Sequence, residues 1–256
     1  MEKINFICGG RTGDLIHNLL PVKLICENHN LKAILYITNL TELGGDVFHY
    51  DIEKTYNDLK PFIMSQPYID SFHIYNYGDT IKNCVNLNQF RWSKLLMKTN
   101  WVDLLCDNYQ LDPPTNPWMT SDKLEELDET ILIHRSTHRH TSYFPWEDIV
   151  TKNKCKFITN TDTKHEYDIF PYKDKVELLT YDSFNEMVQS INSCKLFIGN
   201  MSTPLAIAHS LGIPHLGELN PVDEIHYLGL EKYNKNYYYI SHNLKHLDGI
   251  EQYLDL

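Results

Sequence analysis

The short apolar run Ile4-Asn5-Phe6-Ile7-Cys8 stops at Gly9-Gly10, and this junction constrains the chain more than any other feature. Behind it Leu15, Leu19, Val22 and Cys26 recur at the spacing of one helix face. A second run, rich in β-formers, covers residues 31–38. Strand, glycine turn, helix and strand in that order make a βαβ unit. Strands joined through a helix lie parallel, so the expected class is α/β, with helices covering the faces of a parallel sheet.

Further along, the pattern predicts a helix near 51–64, a strand near 72–77, and helices near 92–97 and 101–109. The segment Leu111-Asp112-Pro113-Pro114-Thr115-Asn116-Pro117 then sets three prolines within five residues, which neither a helix nor a strand can continue. Beyond it strands are expected at 130–134, 156–159, 176–180, 195–199 and 215–219. Between the third and fourth of these, Phe184, Met187, Val188 and Ile191 share a helix face, and Ser183 with Glu186 forms a capping box. No short repeat and no low-complexity tract interrupts the pattern. A chain of 256 residues suits two lobes of roughly 120 residues each, since single cores rarely grow beyond about 250. The expected domains are therefore residues 1–112 and 129–256, each with its own sheet.

Composition removes several classes of function. A net charge of -11 argues against a chain that grips nucleic acid, which demands broad Lys/Arg surfaces. No apolar stretch approaches the 18 or so residues of a membrane-spanning helix. The opening Met1-Glu2-Lys3-Ile4-Asn5 lacks the charged-then-apolar pattern of a secretory signal. Six dispersed cysteines without a C-x-x-C spacing predict reduced thiols and a cytoplasmic protein, so the sequons at Asn39 and Asn200 carry no meaning. Four arginines and three alanines, against abundant Asn, Ile, Lys and Tyr, suggest an AT-rich genome, viral or that of a symbiont. For a viral protein the compartment would be the host cytoplasm.

Three polar segments could carry chemistry. Gly9-Gly10-Arg11-Thr12-Gly13-Asp14 lies between the first strand and its helix, where backbone N–H groups and the helix dipole favour anions. Its glycine spacing is not that of a dinucleotide fingerprint, and no Gly-Lys-Ser/Thr follows as in a P-loop. Asp14 reads equally as an N-cap and as a catalytic carboxylate. His134-Arg135-Ser136-Thr137-His138-Arg139-His140 ends the strand that opens the second half and holds half of all the arginines. Guanidinium forks suit phosphate; a solvated loop and a metal site on His134, His138 and His140 are the alternatives. In Phe197–Pro214 a strand ends at Gly199, Ser202 or Thr203 caps a helix, and Pro204 occupies its first turn. The polar insert Asn200–Thr203 would present N–H groups and hydroxyls to an anion.

Gly13-Asp14-Leu15-Ile16-His17-Asn18-Leu19-Leu20-Pro21 resembles the G-D-hydrophobic-hydrophobic-H-x-L-P opening of the heptosyltransferase-type enzymes of glycosyltransferase family 9. Phe197–Pro214 resembles that family's F-I-G-N-D-S-G-P-x-H-L-A-A-A-L-G-I-P segment, with Leu216–Pro221 continuing it, and Trp146 fits a Trp-bearing helix start. The resemblance implies a GT-B fold: two Rossmann-like lobes, an acceptor side and a nucleotide-sugar side, with a nucleotide-binding cleft between them. It implies transfer of a sugar from a nucleoside-diphosphate donor to a hydroxyl of a glycan or other acceptor, with Asp14 as general base. Ser202 and Thr203 would fall at the helix start that holds the donor diphosphate. Two positions depart from the family: Met201 stands for its Asp, and Leu205-Ala206 replaces its His.

The resemblance further implies an inverting, metal-independent reaction with no cofactor beyond the nucleotide-sugar co-substrate. No Asp-x-Asp pair occurs, so the metal-diphosphate clamp of the other major transferase fold has no ligands here. Arg135, Arg139 and the helix start at Ser202 would neutralise the leaving diphosphate. Arg11 would assist from the first lobe. Glu218 reads as an acceptor for ribose hydroxyls or as a solvated turn residue. A nucleotide-sugar epimerase of the same fold and an inactive nucleotide-fold binding protein are the alternative functions.

Overall fold

The computed structural model describes residues 1–220, 225–243 and 245–255. They form two compact units, Met1–Thr120 and Ser121–Leu256, each with its own sheet.

In the first unit, β1 (Glu2–Gly9) feeds α1 (Thr12–His29), and β2 (Leu31–Thr38) returns parallel to β1 in the register Glu2↔Leu31 to Gly9↔Thr38. Asn30, in the left-handed region at φ 53°, ends α1 and lets the chain reverse into β2 within one residue. Next come α2 (Ile52–Ser65), β3 (Ile69–Ile74), β4 (Cys84–Asn86) and α3 (Trp101–Tyr109). Asp51 caps α2 by accepting from the N–H groups of Glu53 and Lys54. The four strands are parallel in the order β3-β2-β1-β4. Phe6, Leu15, Leu19, Leu35, Phe62 and Phe72 fill the core. The helix expected near 92–97 does not form. A 3-10 turn covers Leu87–Trp92 instead, the Ser93 hydroxyl accepts from the N–H of Leu95, and Met97 turns left-handed at φ 58°. A serine side chain has competed successfully with the helical hydrogen bond.

The second unit contains β5 (Ile131–His134), α4 (Trp146–Lys152), β6 (Cys155–Thr159), α5 (Lys164–Asp168), β7 (Glu177–Thr180), α6 (Phe184–Ser193), β8 (Leu196–Asn200), α7 (Thr203–Leu211), β9 (His215–Glu218), β10 (Tyr237–Ile240) and β11 (Lys245–His246). Their order is β11-β10-β9-β8-β5-β6-β7, parallel except for the antiparallel β10–β11 pair. Ser183 caps α6 at 3.2 Å from the N–H of Glu186, whose carboxylate accepts from the N–H of Asp182, one residue earlier than a capping box requires. Ile133, Trp146, Phe157, Ile198 and Leu216 belong to the main core cluster.

Strand order reverses once in each sheet. From β1 the chain moves outward to β2 and β3 and returns on the other side as β4; from β5 it moves to β6 and β7 and returns as β8. The carboxyl ends of β1 and β4, and of β5 and β8, are therefore topological switch points, where the diverging loops leave a crevice for ligands.

Candidate functional site

All four arginines of the chain lie in loops that follow β1, β4 and β5 at these two switch points. On a protein of net charge -11 this concentrates the guanidinium groups at the carboxyl ends of the strands in both sheets.

At the first switch point, Asp14 sits in the opening turn of α1. The N-cap position belongs to Arg11, which makes no side-chain cap, so Asp14 is not the cap that its sequence position allowed. Its Oδ2 instead accepts from Arg91 Nη2 at 2.5 Å, and the two side chains are only 21% and 24% exposed. Burial pushes the Asp14 carboxyl upward, while Arg91, and Arg11 from farther away, pull it down and Asp46 adds to the rise. Gly10, at φ 115°, makes room for this pair: a Cβ there would lie 2.5 Å from Arg91 Nη2. Asn88 fixes the same corner, accepting from the N–H of Gly9 at 3.0 Å and donating to the Leu43 carbonyl at 3.2 Å. Arg11 is exposed and 3.8 Å from Asp46. Behind the site, His17 stacks on Trp101 at 4.6 Å, and burial pushes the Cys8 thiol up to about 12, an unreactive value at neutral pH.

At the second switch point the loop after β5 is fastened to the ends of β8 and β9. Asn200, fully buried, accepts from the N–H of Ser136 at 3.0 Å and donates to the His138 carbonyl at 2.5 Å. Arg135 grips Glu218 with two nitrogens, Nε at 2.9 Å and Nη2 at 2.8 Å. Glu218 also accepts from the Thr141 N–H at 2.8 Å and from Trp146 Nε1 at 3.0 Å. It has no exposed surface, so it is not the solvated turn residue considered from sequence, and its oxygens are engaged by protein donors.

Arg139 is exposed, left-handed at φ 61°, and donates to the Met201 carbonyl at 3.4 Å. Position 201 thus contributes its backbone carbonyl. Ser202 occupies the N-cap of α7 but makes no cap bond; its hydroxyl donates to the Asn200 carbonyl at 3.0 Å. Thr203 opens the helix beside Pro204, which has no N–H of its own, so the N–H groups of Thr203 and Leu205 are left without an acceptor inside the helix. His134 Nε2 lies 3.1 Å from Glu166, and its Nδ1 lies 3.5 Å from the Ser202 hydroxyl. Burial works to raise the Glu166 carboxyl, but His134 and the Thr137 N–H outweigh it, and the net shift is downward. Among the described residues no three metal-binding side chains converge, so His134, His138 and His140 do not form a cluster.

The expected residues thus fall into two separate groups: Arg11 and Asp14 in one unit, and Arg135, Arg139, Ser202, Thr203 and Glu218 in the other. Sequence reasoning missed Arg91, Glu166 and Asn88 as members of these sites. Pro221, expected in the turn after β9, lies outside the described residues. Among the described residues no helix is long and apolar enough to cross a membrane.

No family model matches the sequence, and no curated protein matches it. Solved structures do match in fold. A glycosyl transferase family 9 protein from Veillonella parvula aligns over 98% of this chain and 88% of its own, at 13% identity and a TM-score of 0.59. The ADP-heptose lps heptosyltransferase II of E. coli aligns over 99% and 96%, at 9% identity and a TM-score of 0.58. E. coli heptosyltransferase WaaC, solved with ADP, aligns over 98% of both chains at 11% identity and a TM-score of 0.52. The fold of this chain is accordingly the GT-B-like α/β fold of these transferases.

Proposed function

We propose that the chain is a glycosyltransferase that moves a sugar from a nucleoside-diphosphate donor to an acceptor hydroxyl, inverting the anomeric centre without a metal. The observation that carries this reading is Asp14: a shielded carboxylate at the first switch point, in a chain that follows a transferase fold along nearly its whole length.

In this reading Asp14 takes the proton from the acceptor hydroxyl as that oxygen bonds to the anomeric carbon. The bond from that carbon to the donor phosphate oxygen breaks, and the nucleoside diphosphate leaves with the electron pair. A carboxylate is a weak base, and it serves because the hydroxyl proton becomes acidic only late in the attack. The charge of the leaving diphosphate falls to the first-turn N–H groups of α7, the Ser202 and Thr203 hydroxyls and Arg139. Arg135, paired with the buried Glu218, orders the loop that carries Arg139. Glu218 acts by holding Arg135 and Trp146 in place.

The test is nucleotide release from UDP-, GDP-, ADP- and CMP-sugars in the presence of a panel of hydroxyl acceptors. With the active pair found, Asp14→Asn is expected to bind nucleotide as the parent does and to lose at least about 100-fold in transfer. Near-full turnover in that variant would remove Asp14 from the mechanism. The same substitution deprives Arg91 of a charged partner, at a cost of about 1.5–3 kcal/mol in stability, so transfer is compared well below the melting transition.

A further inference from the structure

We infer that Arg91 is a positioning residue for Asp14: it grips Oδ2, keeps the shielded carboxylate ionised, and leaves Oδ1 as the oxygen that meets a proton. The inference rests on the transfer reading for its purpose, but its physical basis is independent of that reading. Arg91 reaches Asp14 across 77 positions of sequence, from the 3-10 turn that directly follows β4. The seat borders a residue without a side chain: a Cβ at position 10 would lie 2.5 Å from Arg91 Nη2. Arg91 stacks its guanidinium 4.8 Å from the Phe90 ring centroid, and its Nε is buried without a hydrogen-bond acceptor among the described residues. A guanidinium whose hydrogen bonding is this incomplete is spent chiefly on one carboxylate oxygen.

The charged and titratable groups around Asp14 come from each neighbouring segment: Arg91 from the turn after β4, Arg11 from the helix cap, Asp46 from the loop after β2, and the Cys8 thiol from β1. Of the two cations, Arg91 is in contact, whereas Arg11 is largely exposed and leans toward Asp46. Exposed charges are screened and partly buried ones much less so. Arg91 is therefore the group whose removal Asp14 should feel most.

The experiment is a carbon-13 titration of the full chain labelled at aspartate carboxyls, with the Asp14 resonance assigned by its loss in Asp14→Asn. In Arg91→Gln the Asp14 midpoint is expected to rise by at least one pH unit, a tenfold weaker acid, and in Arg91→Lys to rise by less. Gly10→Ala, which fills the seat while keeping the arginine, should shift it in the same direction, and either of these two carries the test if Arg91→Gln does not fold. A midpoint unchanged in the folded variants would overturn the inference. In a transfer assay the acid limb of the pH profile should move with the titration while donor KM stays constant. If Asp14→Asn transfers normally, the proposed base fails and the titration result stands; if the midpoint is static, the inference fails whatever the transfer assay gives.

Discussion

Glu218 has no exposed surface and holds Arg135, the Thr141 N–H and the Trp146 indole together. Breaking a buried ion pair from one side leaves the other charge uncompensated, typically at a cost of 3–5 kcal/mol. Glu218→Ala should therefore destabilise the second unit by about 3–5 kcal/mol in urea denaturation. Glu218→Gln retains an acceptor for Trp146 and should cost less. A solvated role would have made both substitutions neutral. The same pairing changes what can be learned from Arg135, since its removal orphans a buried carboxylate, so Arg139 is the cleaner probe of anion binding. At this scale the sequence was legible for residues whose neighbours supply their context. Asp14, Ser202 and Thr203 stand at strand-to-helix junctions that glycine, proline and hydroxyl residues announce. Arg91, Glu166 and the Arg135–Glu218 pair were hidden because each depends on a partner between 32 and 83 positions away, and no local pattern specifies such a distance.

His215 shows how a polar residue is built into an element. It opens β9 with no exposed surface, stacks on Tyr237 at 4.7 Å, and lies between the Ile213 carbonyl at 2.8 Å and His209 Nδ1 at 3.2 Å. An N–H from Nδ1 to the carbonyl leaves Nε2 to accept from His209, which describes a neutral ring. Burial pushes its pKa down to about 4, against the partial opposition of the Ile213 carbonyl. The unfolded side chain titrates near 6.5. Between these values the unfolded state binds a proton that the folded state refuses, so the stabilisation is complete above about pH 6.5 and is lost as the pH falls toward 4. The loss from this one group is at most about 3 kcal/mol. Urea midpoints measured at pH 7.5 and 5 should show it, and His215→Gln should show a shallower fall over the same window. Elements themselves were legible where periodicity was strong: α3 and β5 to β9 lie within a residue or so of expectation. The 92–97 segment misled because Leu95, Leu96 and Met97 look helical while Ser93 redirects the backbone. β4 was missed as three residues set in polar sequence. β10, Tyr237–Ile240, carried an aromatic β-forming signal that passed unread.

Across the whole molecule, the arrangement that matters is the pair of strand-order reversals. The prolines at 113, 114 and 117 and the restart of strands near 130 made two α/β halves legible, and the chain divides at Thr120 and Ser121. The order of strands within each sheet could not be read, because parallel strands of similar composition compete for each edge and only tertiary packing chooses among them. It is that order which brings β4 beside β1 and β8 beside β5, and so sets Arg91, after β4, next to Asp14, after β1, and fastens the Arg135–Arg139 loop to Asn200 at the end of β8. If the second switch point receives a diphosphate, bound nucleotide should slow hydrogen exchange in the 134–141 loop and the first turn of α7, and leave β2 and β3 unchanged. Screening UDP, GDP, ADP and CMP by thermal shift identifies the nucleotide first, since a ligand at 100 times its Kd contributes about 2.7 kcal/mol of stability. Arg139→Ala should then weaken that nucleotide by about 1.5–3 kcal/mol in calorimetry, the range for a charge-assisted hydrogen bond. Its stability should hardly change, because the side chain is exposed and its bond to the Met201 carbonyl is long. Equal affinity in parent and variant would return the loop to a solvated surface, and protection confined to the first unit would move the nucleotide there.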